Sequence, residues 1–183
     1  MSEVDIVLMK IDTIVVDPKT SAPVMVLRGE QDAGIYLPIC IGQLEAAAIA
    51  SVLADFELPR PMTHDLFGHT IDALGGQISK VTITRLEEDT FYAEIAVVDL
   101  SGQTKVIDAR PSDSVALALR ADAPIYVAED VLAEAGGYAD DEGELDEVET
   151  EELHDPVEVS PGLASPDVRL EDLDADTFGK YKM

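Results

Sequence analysis

Five side chains combine the residue types that chemistry at a phosphate group requires. The carboxylates of Glu45 and Asp113 are hard oxygen ligands of the kind that Mg²⁺ and Mn²⁺ prefer. The guanidinium groups of Arg60 and Arg110 could each hold a phosphate through two parallel hydrogen bonds. His64 could accept or donate a proton near neutral pH. The sequence therefore predicts Glu45 and Asp113 as ligands of either Mg²⁺ or Mn²⁺, and His64 and both carboxylates as catalytic groups.

Three polar residues next to these groups extend the candidate site. Asp65 directly follows His64 and is a further catalytic candidate. Thr63 and Ser112 carry hydroxyl groups that could bind a substrate phosphate together with the arginines. Whether these side chains converge is a question for the three-dimensional structure.

Each candidate also has a structural interpretation, which the sequence leaves open. Asp113 and Ser112 lie at a predicted helix start, where carboxylates and hydroxyls satisfy free backbone N–H groups. Thr63 and Asp65 fit the capped start of another helix, and a lone histidine such as His64 is more often a hydrogen-bonded structural residue than a ligand. The structural alternative for Arg110 is a partly buried ion pair with Asp113 or with Glu45.

Other catalytic and binding motifs are missing from the sequence. Neither G-x-G-x-x-G before a helix nor G-x-x-x-x-G-K-[ST] occurs, so we expect no nucleotide or organic cofactor. His69 follows His64 by five residues, which is about 140° around a helix, a poor geometry for two metal ligands on one face. Cys40, the single cysteine, lies in an apolar strand and is predicted to be buried and unreactive.

Hydrophobic periodicity predicts the elements that position these residues. Alternating and β-branched runs predict strands, and apolar residues at helical spacing predict helices. The predicted strands are Val4–Val16, Ala22–Leu27, Ile35–Ile41, Ile78–Leu86, Phe91–Leu100, Gln103–Ala109 and Pro124–Val127. The predicted helices are Gln43–Glu57, Met62–Leu74 with Thr63 as N-cap and Gly75-Gly76 as its stop, Ser114–Arg120 started by Pro111, and Glu129–Ala135.

This order of elements favours an α+β fold. Hairpins followed by helices, rather than strict β-α-β alternation, predict largely antiparallel sheet segments with helices packed on one face. The same strand-to-helix transition occurs twice, because Ile41–Ala50 can be aligned with Ala109–Ala118 in a way that matches Glu45 with Asp113. The pattern is consistent with an internal βββα duplication.

Charge divides the chain into two parts. The 183 residues carry 38 acidic and 12 basic side chains, a net charge of −26, and residues 137–183 alone hold 16 acids and three bases. Such a segment repels itself and has few apolar residues, so we predict a domain of residues 1–136 and a flexible acidic tail of residues 137–183. The tail could engage a basic protein partner. Its end, residues 170–183, could form a short docking segment through Leu170, Leu173, Phe178 and Tyr181.

Charge and hydropathy also exclude several classes of protein. The acidic excess repels nucleic acid and anionic lipid at long range, which argues against a generic nucleic-acid coat protein. No apolar run approaches the roughly 18 residues of a membrane helix, and the first residues are acidic where a secretory signal is basic. We therefore expect a cytoplasmic protein without a membrane partner.

The alanine-rich face of residues 46–54 predicts close packing and is also a place where two subunits of a homo-oligomer could meet.

Four segments carry a resemblance to a known family. They are Leu37–Gly42 with Glu45-Ala46, Arg60–Leu66, Asp108–Ala118 and Ala123–Val127. In type and order these segments resemble the bifunctional nuclease (BFN) domain family. The resemblance covers nearly all of residues 1–136 and leaves the acidic tail outside.

The resemblance implies a compact α+β domain and a nuclease that acts on both RNA and DNA. Phosphodiester hydrolysis needs a nucleophilic water, stabilisation of charge on the phosphoryl oxygens and help for the leaving oxygen, which metal ions with carboxylate ligands commonly provide. On this hypothesis, single-stranded or loosely structured nucleic acid is cleaved in a cleft near Arg60, His64, Arg110 and Asp113. The alternative is a non-catalytic binding or regulatory module whose acidic tail engages a basic protein.

Overall fold

The structure, a computed structural model, describes residues 5–56 and 59–139. This part of the chain contains eight strands and four helices. The strands are β1 Ile6–Val16, β2 Pro23–Gly29, β3 Ile35–Cys40, β4 Gln77–Glu87, β5 Thr90–Val98, β6 Thr104–Ala109, β7 Ile125–Ala128 and β8 Gly137–Tyr138. The helices are α1 Gln43–Leu53, α2 Thr63–Ala73, α3 Pro111–Ala121 and α4 Glu129–Ala135.

All eight strands form one sheet, in the order β6-β5-β4-β7-β1-β2-β3-β8. Two antiparallel meanders, β1-β2-β3 and β4-β5-β6, flank β7, which pairs antiparallel with β1 and parallel with β4. The predicted α+β fold is confirmed, and the two predicted sheet segments are joined by β7. Each meander ends in an outer strand that leads into a helix, α1 after β3 and α3 after β6, as the predicted βββα duplication requires.

The helices cover one face of the sheet, and α3 lies in the middle of the core. Alternation along β2 shows the two faces: Met25 and Leu27 belong to the main core beneath the helices, whereas Val26 packs with Tyr36 on the opposite face. Residues Val115–Ala118 of α3 are buried in the main core. The apolar stripe of α3 therefore fixes the helix against the sheet, and its first turn is held in a defined position.

Three local predictions are corrected. Helix α1 ends at Leu53 instead of Glu57, because Asp55 takes a left-handed φ of 50° and the N–H of Phe56 bonds back to the carbonyl of Ser51. Met62 is the N-cap of α2, and the predicted cap Thr63 is the first helical residue. Cys40 is exposed, since it stands at the end of β3, where no helix covers it.

The stop of α2 is as predicted. Gly75 has a φ of 77°, and the N–H of Gly76 bonds to the carbonyl of Ile71, which is the Schellman ending of a helix. A non-glycine residue would be strained in this left-handed conformation. Gly75 thus ends α2 and turns the chain into β4.

The sheet continues past residue 136. Strand β8 pairs with β3, Ala139 donates its N–H to the carbonyl of Gly34, and the hydroxyl of Tyr138 donates to Asp32. The acidic tail from residue 140 onward and the docking segment 170–183 lie outside the described residues. In the described part of the chain, no helix is long and apolar enough to cross a membrane.

Candidate active site

Three helices carry an acidic residue in the first turn, at the third helical position. The start of a helix has free backbone N–H groups and a partial positive charge, so a carboxylate is stabilised there. In α2 the carboxylate of Asp65 accepts a 2.7 Å hydrogen bond from the backbone N–H of Met62. The three acids are Glu45 in α1, Asp65 in α2 and Asp113 in α3.

Arg110, the N-cap residue of α3, joins two of these acids in one ion-pair network. Its Nε and Nη2 donate to the two oxygens of Asp113 at 2.7 and 3.2 Å, and its Nη1 lies 3.0 Å from Oε1 of Glu45. The hydrogen bonds to Asp113, reinforced by the charges of both acids, raise the pKa of Arg110. The side chain of Arg110 stays 65% exposed, so part of the guanidinium group remains open to solvent.

His64 joins the network on the other side of Asp113. Its Nε2 lies 3.0 Å from Oδ1 of Asp113, and its side chain is 17% exposed. Burial raises the pKa of the Asp113 carboxyl, but hydrogen bonds from Arg110 and His64 outweigh this effect and hold the pKa below its usual value. Because an ionised carboxylate only accepts hydrogen bonds, Nε2 of His64 carries the hydrogen and Nδ1 is the basic nitrogen.

Asp65 has a different partner, which sequence reasoning missed. Nε of Arg120 donates to Oδ1 of Asp65 at 2.5 Å, and this bond lowers the pKa of the carboxyl. Nη1 of Arg120 donates to the carbonyls of Ala48 and Ala116, each at 3.0 Å. Arg120 thereby ties α1, α2 and α3 together, and Asp65 forms part of this structural contact.

One signal in the sequence could have indicated Arg120. It follows Asp113 by seven residues, which is close to two helical turns, so both side chains lie on the same side of α3. That side faces α2, since His64 contacts Asp113 and Asp65 contacts Arg120. The partners of Arg120 on α1 and α2 are separated from it by more than one element, and no local pattern identifies them.

Two cavities meet at His64. The small cavity, of about 520 Å³, lies between the starts of α2 and α3 and the strands β5 and β6. It is lined by Thr63, His64, Phe67, Phe91, Ile95, Ile107, Arg110, Asp113 and Leu117, among others. The large cavity, of about 750 Å³, lies among α1, α2 and α3, and its lining includes Phe56, Arg60, His64, Asp65, His69 and Arg120.

The structure thus brings together four of the eight candidate residues in one network: His64, Asp113, Arg110 and Glu45. Thr63 is exposed and lines the same small cavity. Arg60 and Asp65 line the large cavity, which also reaches His64. Ser112 is buried, only 6% exposed, and lines neither of the two cavities.

The carboxylates of Glu45 and Asp113 do not fit a divalent cation in this arrangement. Arg110 contacts both carboxylates, and its guanidinium group takes the place between them that a shared metal ion would need. Among the residues that the structure describes, no group of three or more His, Cys, Asp or Glu side chains could hold a metal ion. The Mg²⁺ or Mn²⁺ expected from sequence stays a prediction.

The fold and the site together define a class of domain. Two β-meanders flank one central strand, and a histidine, an aspartate, an arginine and a glutamate form a network at the starts of three helices. The chain belongs to the bifunctional nuclease domain family, which matches residues 25–140. The resemblance found in the sequence is therefore confirmed.

The chain is similar to bacterial and plant proteins. It is 47% identical over 143 residues to an uncharacterized protein of Mycobacterium tuberculosis, a match that covers 78% of this chain and 84% of that protein. It is 23% identical over 107 residues to bifunctional nuclease 1 of Arabidopsis thaliana, covering 57% of this chain and 33% of that protein. Bifunctional nuclease 2 of the same plant is 24% identical over 123 residues, covering 66% of this chain and 37% of that protein.

Proposed function

We propose that this protein is a nuclease that cleaves phosphodiester bonds of RNA or DNA at His64. The observation that carries the proposal is the 3.0 Å contact between His64 and Asp113 at the wall of the small cavity. Membership of the bifunctional nuclease domain family and the names of the plant relatives support it. Nucleic acid is accordingly the proposed substrate.

His64 acts in this proposal as the group that accepts a proton. Asp113 holds the imidazole through the Nε2 hydrogen, which leaves Nδ1 to take a proton from the attacking water. The water oxygen then bonds to phosphorus, the ester P–O bond breaks, and the leaving oxygen takes a proton from solvent. Asp113 also stabilises the imidazolium that forms, so its role is to position and support His64.

Arg110 acts as the phosphate contact. Three of its N–H groups are engaged by Asp113 and Glu45, and the exposed remainder of the guanidinium can donate to phosphoryl oxygens. Glu45 fixes the direction of the guanidinium, and the exposed hydroxyl of Thr63 is a second donor in the same cavity. The phosphate would thus lie between Arg110 and His64.

Substitutions of two aspartates distinguish a catalytic role of the network from a purely structural one. Asp113 and Asp65 occupy the same position in their helices and each binds an arginine, but only Asp113 contacts His64. Asp113→Asn should lower the cleavage rate of a labelled single-stranded oligonucleotide by about 100-fold, because His64 loses its charged partner. Asp65→Asn should leave the rate nearly unchanged, with thermal melting as the control for folding of both variants.

The same assay tests the expected metal ion. Because the guanidinium group of Arg110 already pairs with both Glu45 and Asp113, cleavage by the wild-type chain should persist in excess EDTA. A loss of activity in EDTA that returns with Mg²⁺ or Mn²⁺ would assign the two carboxylates to a cation that displaces Arg110. Purified protein that cleaves no nucleic acid under either condition would contradict the proposed nuclease and favour the binding module.

A further inference from the structure

One group of residues that line the small cavity is apolar. Two of them, Ile95 and Leu117, are buried, with 3% and 4% exposed. Two others, Phe67 and Ile107, remain 46% and 39% exposed. Phe91 adds a second aromatic side chain that packs against the core. A large aromatic side chain on an open apolar wall is available to contact a ligand.

Another group in the same lining is polar. It includes His64, Asp108, Asp113 and Arg110, and the guanidinium of Arg110 is the cation that would hold a phosphate. Phe67 follows His64 by three residues in α2, and Leu117 follows Asp113 by four residues in α3. Each helix therefore places an apolar residue of the lining one turn after a polar one.

The polar and apolar parts of the lining match the two parts of a nucleotide. A nucleotide has an anionic phosphate at one end and a flat base with apolar faces at the other, and the lining of the small cavity offers a cation and an exposed aromatic side chain. The volume of about 520 Å³ is within the range of cavities that accept small organic groups. The large cavity carries charges of both signs, since Asp55, Asp65 and Asp72 line it together with Arg60 and Arg120.

We propose that the small cavity binds the base next to the phosphate that is cleaved, with Phe67 as the stacking surface, so that the substrate is single-stranded. This inference rests on the proposed nuclease function and adds a substrate class and a base-binding subsite to it. A base in a duplex is stacked and paired on its own strand, and it can enter a side cavity only after it leaves the helix. Unpaired strands avoid that cost, and stacking on an aromatic ring tolerates any base.

Binding to a short, end-labelled oligothymidylate, followed by fluorescence anisotropy, tests the inference. All proteins carry His64→Gln, so that no strand is cleaved during the measurement. Phe67→Ala should weaken binding by about tenfold, because one base loses its stacking surface. Phe67→Tyr should restore binding, since the ring is retained. Phe56→Ala is the matched control, because Phe56 is an exposed aromatic residue of the large cavity, and it should bind as tightly as the parent.

Two further probes identify what Phe67 contacts. An abasic strand of the same length keeps the phosphates but lacks the bases, so Phe67→Ala should not change its affinity. A duplex of the same length should bind more weakly than the single strand. Equal losses on the abasic strand, equal losses for Phe56→Ala, stronger binding to the duplex, or no binding of the single strand would each overturn the inference.

The oligomeric state and the cleavage assay complete the test. If a second copy of the chain covers the apolar wall instead, Phe67→Ala will change the mass in sedimentation velocity, and this result would also overturn the inference. If the protein passes the binding test but cleaves nothing, the base-binding subsite is supported and the proposed nuclease function is overturned. If the protein cleaves duplexes as fast as single strands, the nuclease function is supported and the base-binding subsite is overturned.

Discussion

At the scale of single residues, the types in the candidate site were predictable, but their partners were not. The ion-pair alternative for Arg110 agrees with the structure, because the guanidinium contacts both Glu45 and Asp113. The contact between His64 and Asp113 joins residues 49 positions apart, and Arg120 reaches partners 55 and 72 positions away. Contacts of this length depend on how the helices cross, and local sequence patterns contain no information about that.

Removal of the Arg120 side chain should destabilise the fold. Its side chain is 12% exposed and bonds to α1, α2 and α3. Arg120→Met should lower the free energy of unfolding by about 2–4 kcal/mol, since Asp65 and two carbonyls lose their partner. Lys105→Met, which removes an exposed ion pair with Asp99, should cost much less, because solvent screens such a pair. Urea denaturation of both variants measures the difference, and equal costs would contradict the structural role of Arg120.

The same contact predicts how stability depends on pH. The hydrogen bond from Arg120 lowers the pKa of Asp65 below its usual value of 3.8 in the folded protein. A lowered pKa contributes stability above pH 3.8 that is lost as the pH falls through the folded pKa. Arg120→Met should therefore flatten the acid side of the stability profile. A profile as steep as that of the wild-type chain would show that Asp65 does not depend on Arg120.

At the scale of elements, periodicity predicted most of the strands and helices. Helix α4 has the predicted bounds Glu129–Ala135, and the two meanders follow from their turns and alternating residues. The position of β7 in the sheet could not be predicted. This strand has only four residues, and its partners β1 and β4 are far from it in the chain. The early end of α1 was missed because Asp55, a residue without an obvious stop signal, adopts the left-handed conformation.

Substitution of two glycines in the left-handed conformation distinguishes the cost of backbone strain from the cost of side-chain packing. Gly75 and Gly102 have φ values of 77° and 78°, but a Cβ at Gly75 would lie 2.5 Å from Cγ of Leu100, whereas a Cβ at Gly102 would meet nothing within 4 Å. Gly102→Ala should cost about 1 kcal/mol of stability, from the backbone alone. Gly75→Ala should cost about 2 kcal/mol, because Leu100 must also move. Equal costs in chemical denaturation would show that Leu100 moves away freely.

At the scale of the whole molecule, charge opposes the proposed substrate. The net charge of −26 repels nucleic acid at long range, and one exposed arginine at the site offers only a local attraction. Most proteins that bind nucleic acid by clustered basic residues lose affinity as salt increases. In this chain, the screening of repulsion between like charges should have the opposite effect.

Salt and truncation together test this view of the charge. For the wild-type chain, kcat/KM on a single strand should rise as NaCl is increased from about 20 to about 150 mM, because screening weakens the repulsion. Deletion of residues 140–183, which carry 16 acids and three bases, should raise kcat/KM most at low salt. The shortened chain keeps β8, so its melting temperature serves as the control. A steep fall of kcat/KM with salt would instead indicate several phosphate contacts.

The proposed role of His64 is tested most directly by comparing the two histidines of α2. His64 contacts Asp113 and lies between the two cavities, whereas His69 is exposed and lines only the large cavity. The measurement is the single-turnover cleavage rate of a labelled single-stranded oligonucleotide by the full chain carrying either His64→Gln or His69→Gln. We predict that His64→Gln lowers the rate by about 100-fold or more, while His69→Gln cleaves at the wild-type rate. Cleavage by the His64→Gln chain at the wild-type rate would contradict the proposal that this histidine transfers the proton.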